Sequence, residues 1–146
     1  MPLDSQCIFC RIVAGQAEAS RVYRDPLVTA FLDIHPVTPG HLLVVPNSHF
    51  PDLAGLDAQY AAQMMATGRR LAAVVRTVLK AEGVNLLVAD GAAAGQSVFH
   101  CHLHVIPRKT GDGFGFRRAF GAGGAERGEL ERIAEQLRPS MESGVA

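Results

Sequence analysis

His100, His102 and His104 alternate along the stretch His100-Cys101-His102-Leu103-His104-Val105-Ile106 and make up half of the chain's six histidines. The flanking Val98-Phe99 and Val105-Ile106 are aromatic and β-branched, the composition of a strand. Side chains in a strand alternate between two faces. The three imidazoles are therefore expected on one face, neighbours about 6–7 Å apart, with Cys101, Leu103 and Val105 turned into a core on the other. A row of imidazoles has two chemical uses, metal ligation and histidine catalysis.

Three readings of the row compete. In the first, these are surface histidines whose alternation is accidental. In the second, the row ligates a catalytic zinc. However, three histidines in one strand span too far to converge easily on one ion, and no carboxylate flanks them. In the third, a neutral imidazole attacks phosphorus while a hydrogen bond holds the proton on its far nitrogen. His102 is then the natural nucleophile, with a neighbour on each side. The preceding Gly95-Gln96-Ser97 loop favours this reading, because it can present backbone N–H groups and a hydroxyl to an anion.

Cys7-x-x-Cys10 is a second chemical pair, at zinc half-site spacing. A redox pair and two packed cysteines are the alternatives. Only six residues precede Cys7, too few for the strand that a thioredoxin-like pair needs.

The elements that must position these groups can be read from pattern. Cys7 to Ala14 is a short helical segment closed by Gly15. Val22-Tyr23 and Leu27 to Leu32 read as strands joined at Asp25-Pro26, and His41 to Val45 as a strand stopped by Pro46. Asp57 to Lys80 is the clearest helix, with Asp57 as cap, Tyr60, Met64, Leu71, Val75, Val78 and Leu79 on one face, and Gly83 as the stop. Asn85 to Val88 is a further strand. Gly111 to Gly128 holds seven glycines and reads as a loop; Glu129 to Leu137 is a final helix ended by Pro139. About five mostly sequential strands with one long helix and short extra ones indicate an α+β domain with a largely antiparallel sheet.

Composition bounds the partners. The 146 residues, 48% hydrophobic and 19% charged, suit one ordinary globular domain over 1–146. Its core is expected over about 7–116, with the glycine-rich loop and C-terminal helix over 117–146. A formal net charge of zero and no basic run exclude a nonspecific nucleic-acid binder. No stretch approaches the roughly 20 apolar residues of a membrane span, and the N-terminus lacks a signal-peptide pattern. Three cysteines suit a reducing compartment, so the expected location is cytoplasmic.

The segment from Gly95 to Arg108 resembles the signature of the histidine triad family, His-φ-His-φ-His-φ-φ. Phe31-Leu32-Asp33-Ile34, Pro39 to Pro46, and the Cys7-Ile8-Phe9-Cys10 opening of bacterial members are similar to other stretches of that family, in the same order. The resemblance covers about Cys7 to Phe116. It implies a five-stranded antiparallel sheet, a homodimer, and an enzyme that binds a purine nucleotide and hydrolyses or transfers at its α-phosphate.

Carried onto this chain, it implies that His102 forms a nucleotidyl-histidine intermediate, with His104 contacting phosphate oxygens and His41 in support. Gly95, Gln96 and Ser97 would surround the phosphate, Asp33 would accept from the ribose hydroxyls, and Ile34 would wall the base or ribose. It also implies a structural zinc held by Cys7, Cys10, His49 and His100. Substrates in view are nucleoside phosphoramidates. The alternatives are dinucleoside polyphosphates, by the resemblance of Pro107-Arg108-Lys109 to that branch, or an adaptor role with incidental catalysis. The chain departs from many relatives at Ala89, where they carry Asn or Gln.

Overall fold

A computed structural model describes residues 3–115 and 123–144. The described chain divides into two compact units, Met1–Asp112 and Gly113–Ala146. The first holds the sheet. The second holds one helix, and residues 116–122 of the expected glycine-rich loop lie outside the described residues.

In the first unit the order is α1 (Ile8–Val13), β1 (Arg21–Arg24), β2 (Val28–Leu32), β3 (Leu42–Pro46), α2 (Ala58–Val78), β4 (Gly83–Leu87), a single 3-10 turn (Ala92–Ala94) and β5 (Leu103–Arg108). The five strands form one sheet in the order β1-β2-β3-β5-β4, with every pairing antiparallel. The expected α+β class holds. Strand order is sequential only as far as β3: the chain leaves through α2, builds β4 as an edge, and returns as β5 in the gap. The histidine strand therefore becomes an interior strand.

Period-two alternation sorts the side chains. Val28, Ala30, Leu42, Val44, Leu103 and Val105 turn to one face, where Met64, Leu71 and Val75 of α2 cover them. Phe31, Leu43 and Val45 turn to the other and pack with Phe9 and Val13 of α1. Cys101, Leu103 and Val105 lie in the α2-side core, as the alternation requires. Gly68 lets α2 approach β5 closely: a Cβ there would stand 2.6 Å from Leu103 Cδ2.

Several element boundaries differ from expectation. Regular β5 begins at Leu103, not His100. His100 and Cys101 are taken out of the ladder, because Cys101 N–H donates to the Phe50 carbonyl and the His100 carbonyl accepts from the His102 side chain. Asp57 is the N-cap of α2 but forms no side-chain cap bond; its backbone carbonyl accepts from Tyr60 and Ala61. Val78 and Leu79 are exposed rather than on the buried face. The helix ends there through Lys80 at φ 57, with the Ala81 N–H bonded back to the Val75 carbonyl, so Gly83 does not stop it and instead opens β4. In the second unit α3 spans Arg127–Glu142 and contains Pro139 near its C-terminus rather than ending before it. None of its residues is buried.

Candidate active site

A cavity of about 440 Å³ opens on the α1 side of the sheet. Its floor follows from strand register: Phe31 pairs with Leu43, and Leu43 with His104, placing three neighbouring strands' side chains in one row. Ile8, Phe9 and Ile12 of α1 form an apolar wall, while Asp33, His41, His102 and His104 supply the polar one. Phe9 presses edge-on against Phe31 and His102, with ring centroids 5.5 and 5.1 Å away.

The imidazoles are ordered by hydrogen bonds that determine their tautomers. His102 Nδ1 lies 2.7 Å from the His100 carbonyl oxygen. A carbonyl only accepts, so Nδ1 carries the proton and Nε2 keeps its lone pair. On the neighbouring side, the Val37 N–H donates to His41 Nδ1 at 3.0 Å. Neutral His41 must then carry its proton on Nε2, which stands 2.9 Å from His104 Nδ1 and donates to it. His104 in turn is left with its proton on Nε2. One backbone amide thus makes His104 an Nε2 donor, while one backbone carbonyl makes His102 an Nε2 acceptor, and their rings lie 4.8 Å apart.

Electrostatics keep these rings neutral. Burial lowers the pKa of His102 below the ordinary histidine value, against the raising effects of the His100 carbonyl and Asp33. Burial lowers His41 too, partly offset by Asp33. Burial, and then the repulsion that a second proton on His102 or His41 would meet, push His104 down to about 4.

Asp33 continues the β2–β3 ladder, its N–H donating to the His41 carbonyl. Its Oδ1 accepts the His35 N–H at 2.8 Å, and Oδ2 lies 3.7 Å from His41 Nε2. Ile34 beside it is 83% exposed at the cavity edge, free to contact a bound molecule. Ser97 lines the cavity, but Gly95 and Gln96 do not. The Gln96 side chain is spent elsewhere. Its Oε1 accepts the Gly91 N–H, and its Nε2 donates to the Pro51 and Val98 carbonyls at 2.8 and 3.1 Å. The backbone N–H groups of Gly95 and Gln96 are also taken, by the carbonyls of Ala92 and Gly91. These two residues shape the loop, with their N–H hydrogens engaged within it.

The first member of the row turns away from the cavity. His100, fully buried, converges with Cys7, Cys10 and His49. His100 Nδ1 lies 3.5 Å from Cys7 Sγ, 3.4 Å from Cys10 Sγ and 3.3 Å from His49 Nδ1, and Cys10 Sγ lies 3.2 Å from His49 Nδ1. Tetrahedral zinc with ordinary bond lengths has N···N edges of about 3.3 Å and N···S edges of about 3.6 Å, so the residues fit the metal. His100 Nε2 donates to the Pro46 carbonyl at 2.9 Å, which leaves Nδ1 as a lone pair aimed at the thiols. Burial holds the Cys10 thiol up at about 11 and lowers His100 to about 4, so both are neutral here; a bound dication would favour the thiolate. Asp33, His41 and His104 also cluster. That set does not suit a metal, because His41 already uses Nδ1 as an acceptor and would have to become an imidazolate to ligate through Nε2.

The HIT domain matches residues 14–111. The chain belongs to the HIT family. As a HIT protein it is 43% identical over 116 residues to Protein hit of Bacillus subtilis (strain 168), covering 79% of this chain and 80% of that one. It is 37% identical over 113 residues to adenylylsulfatase HINT3 of Arabidopsis thaliana, covering 75% of this chain and 56% of that protein. The crystal structure of a Zn-bound histidine triad family protein from Mycobacterium smegmatis superposes with a TM-score of 0.73 at 41% identity, covering 94% of this chain and 96% of that one. No helix among the described residues is long and apolar enough to cross a membrane.

Residue types alone did not point to three contributors to this HIT site. Phe9 packs on His102, Glu18 lines the cavity, and Val37 acts through its backbone N–H. Only Phe9 lay in a quoted motif, and nothing local to that motif shows which ring it meets.

Proposed function

We propose that this protein is a nucleotide hydrolase acting at the α-phosphate of purine nucleotide conjugates, with nucleoside phosphoramidates as the leading substrate class. The observation that carries the reading is the 2.7 Å bond from His102 Nδ1–H to the His100 carbonyl, which leaves Nε2 as a neutral nucleophile in the cavity. His102 Nε2 attacks the α-phosphorus, and the P–N bond to the amine breaks as the amine takes a proton from solvent. Water then attacks the nucleotidyl-histidine, releasing a nucleoside monophosphate and returning a proton. The His104 Nε2–H and Ser97 donate to phosphoryl oxygens as charge builds. Asp33 accepts from the ribose hydroxyls, and Ile34 covers the sugar or base.

Cys7, Cys10, His49 and His100 hold a structural zinc in this reading. A closed four-ligand site has no open position for substrate, so the metal's chemistry is to pin α1 to the residues before β5. Two copies form a homodimer, and the protein works in the cytoplasm. Arg108 bears on the alternative of dinucleoside polyphosphates. Its guanidinium is engaged by Asp112 at 2.8 Å and Asn85 at 2.7 Å, not held out for extra phosphates. Ala89, which has no hydrogen-bonding side chain, is the feature that favours a binding role with incidental catalysis.

The test is turnover of an adenosine phosphoramidate, adenylyl sulfate and diadenosine polyphosphates by the wild type and His102→Ala. Expected are a highest kcat/KM for the phosphoramidate, a mass shift of one nucleotidyl group on His102, and a loss of at least about 10³-fold in the variant. Turnover undiminished in His102→Ala would overturn the nucleophile. Measurable nucleotide binding without any turnover would establish the adaptor instead.

A further inference from the structure

Two carboxylates line the cavity, and they are not equivalent. Asp33 is engaged by the His35 N–H and faces His41. Glu18, between α1 and β1, has no hydrogen-bond or ion-pair partner among the described residues. Its place relative to the histidines follows from the backbone. The Ser20 carbonyl accepts the Leu32 N–H at 3.0 Å, so the segment carrying Glu18 runs alongside Leu32 to Ile34. Ala19 next to it packs against the cluster that holds Phe9 and Phe31.

This inference rests on the nucleotide reading above. With phosphorus at His102 and ribose at Asp33, the base extends along the apolar wall of α1 towards Glu18. An ionised carboxylate offers acceptors only. The Watson–Crick edge of adenine presents the N1 lone pair beside one amino donor, and that lone pair repels a carboxylate. The same edge of guanine presents two adjacent donors, N1–H and N2–H₂, which match the two oxygens. We propose that Glu18 is a specificity-determining residue that selects a guanine base over adenine by accepting both edge donors at the mouth of the cavity.

Glu18 is exposed, so water competes for the carboxylate and the discrimination falls at the low end for a bidentate base contact, about tenfold. The experiment is titration of the zinc-replete full chain with GMP, IMP and AMP, repeated with Glu18→Ala and Glu18→Gln. GMP is expected to bind about tenfold tighter than AMP. IMP, with N1–H but no N2 amino group, should fall between them. Glu18→Ala should bring the GMP-to-AMP ratio close to one by weakening GMP, and Glu18→Gln, which keeps one acceptor, should retain part of it. Equal affinities in the wild type, or a GMP preference that survives Glu18→Ala, would overturn the role of Glu18 and leave the nucleotide reading standing. Failure of all three nucleotides to bind a folded, zinc-loaded protein would overturn both.

Discussion

His41 Nε2 donates a hydrogen bond to His104 Nδ1 across 2.9 Å, and it does so because the Val37 N–H occupies the other nitrogen of His41. The pair joins β5 to the residue just before β3. His104, a half-buried ring that would otherwise choose between two tautomers, is thereby committed to present an N–H to the cavity. His102, committed the opposite way by a carbonyl, stands beside it.

Removing that commitment should cost turnover more than binding. His41→Ala is expected to lower kcat by about 10²-fold, the scale of a misoriented catalytic group, while changing nucleotide Kd little. The wild-type zinc content should be unchanged, because His41 is not in the Cys7–Cys10–His49–His100 cluster. Steady-state kinetics with parallel nucleotide titration reads the split.

Zinc removal should act on stability first. Purified protein is expected to carry one zinc per chain, and chelation or Cys10→Ser should lower Tm by roughly 10 °C or more. A metal held a thousandfold above its Kd contributes about 4 kcal/mol, and each kcal/mol is worth about 2–4 °C in a chain of this size. Elemental analysis with thermal unfolding checks it.

Acid should destabilise the fold from the histidine side before the carboxylates titrate. His104 is held near 4 in the fold against about 6.5 when unfolded. Below 6.5 the unfolded chain binds a proton that the native one refuses. Stability is therefore full above pH 6.5, falls as pH drops towards 4, and loses no more from this group below that. In Tm measured from pH 7.5 to 4.5, His104→Asn should show a shallower decline than wild type.

Gln96 should behave as a latch for the loop that carries Ser97. Gln96→Ala removes three hydrogen bonds and leaves the Gly91 N–H and the Pro51 and Val98 carbonyls without that partner. Loss of about 2–3 kcal/mol is expected, with KM raised several-fold as Ser97 loses its position. Gln96→Glu keeps the acceptor for Gly91 but not the donors, so it should recover only part of the loss.

Alternation and periodicity are local properties of a chain, and what depended on them was legible without coordinates. The α2 core face of Met64, Leu71 and Val75 and the inward set of Cys101, Leu103 and Val105 came from spacing alone. So did the presence of three alternating imidazoles and of a Cys7-x-x-Cys10 pair at the spacing of a zinc half-site. The helix end at Lys80 was not legible, because a left-handed lysine is held by the Ala81 N–H reaching back to Val75, and a glycine two residues on offered the stronger local signal.

Tertiary structure alone decided how three similar imidazoles divide. All three have the same chemistry in the sequence. The difference lies in what each nitrogen meets: a carbonyl of residue 46 for His100, a carbonyl of residue 100 for His102, and an imidazole of residue 41 for His104. Two of those partners are more than 50 residues away along the chain. No periodicity encodes them, because strand order and loop path bring them together only when the sheet closes β5 into the gap between β3 and β4.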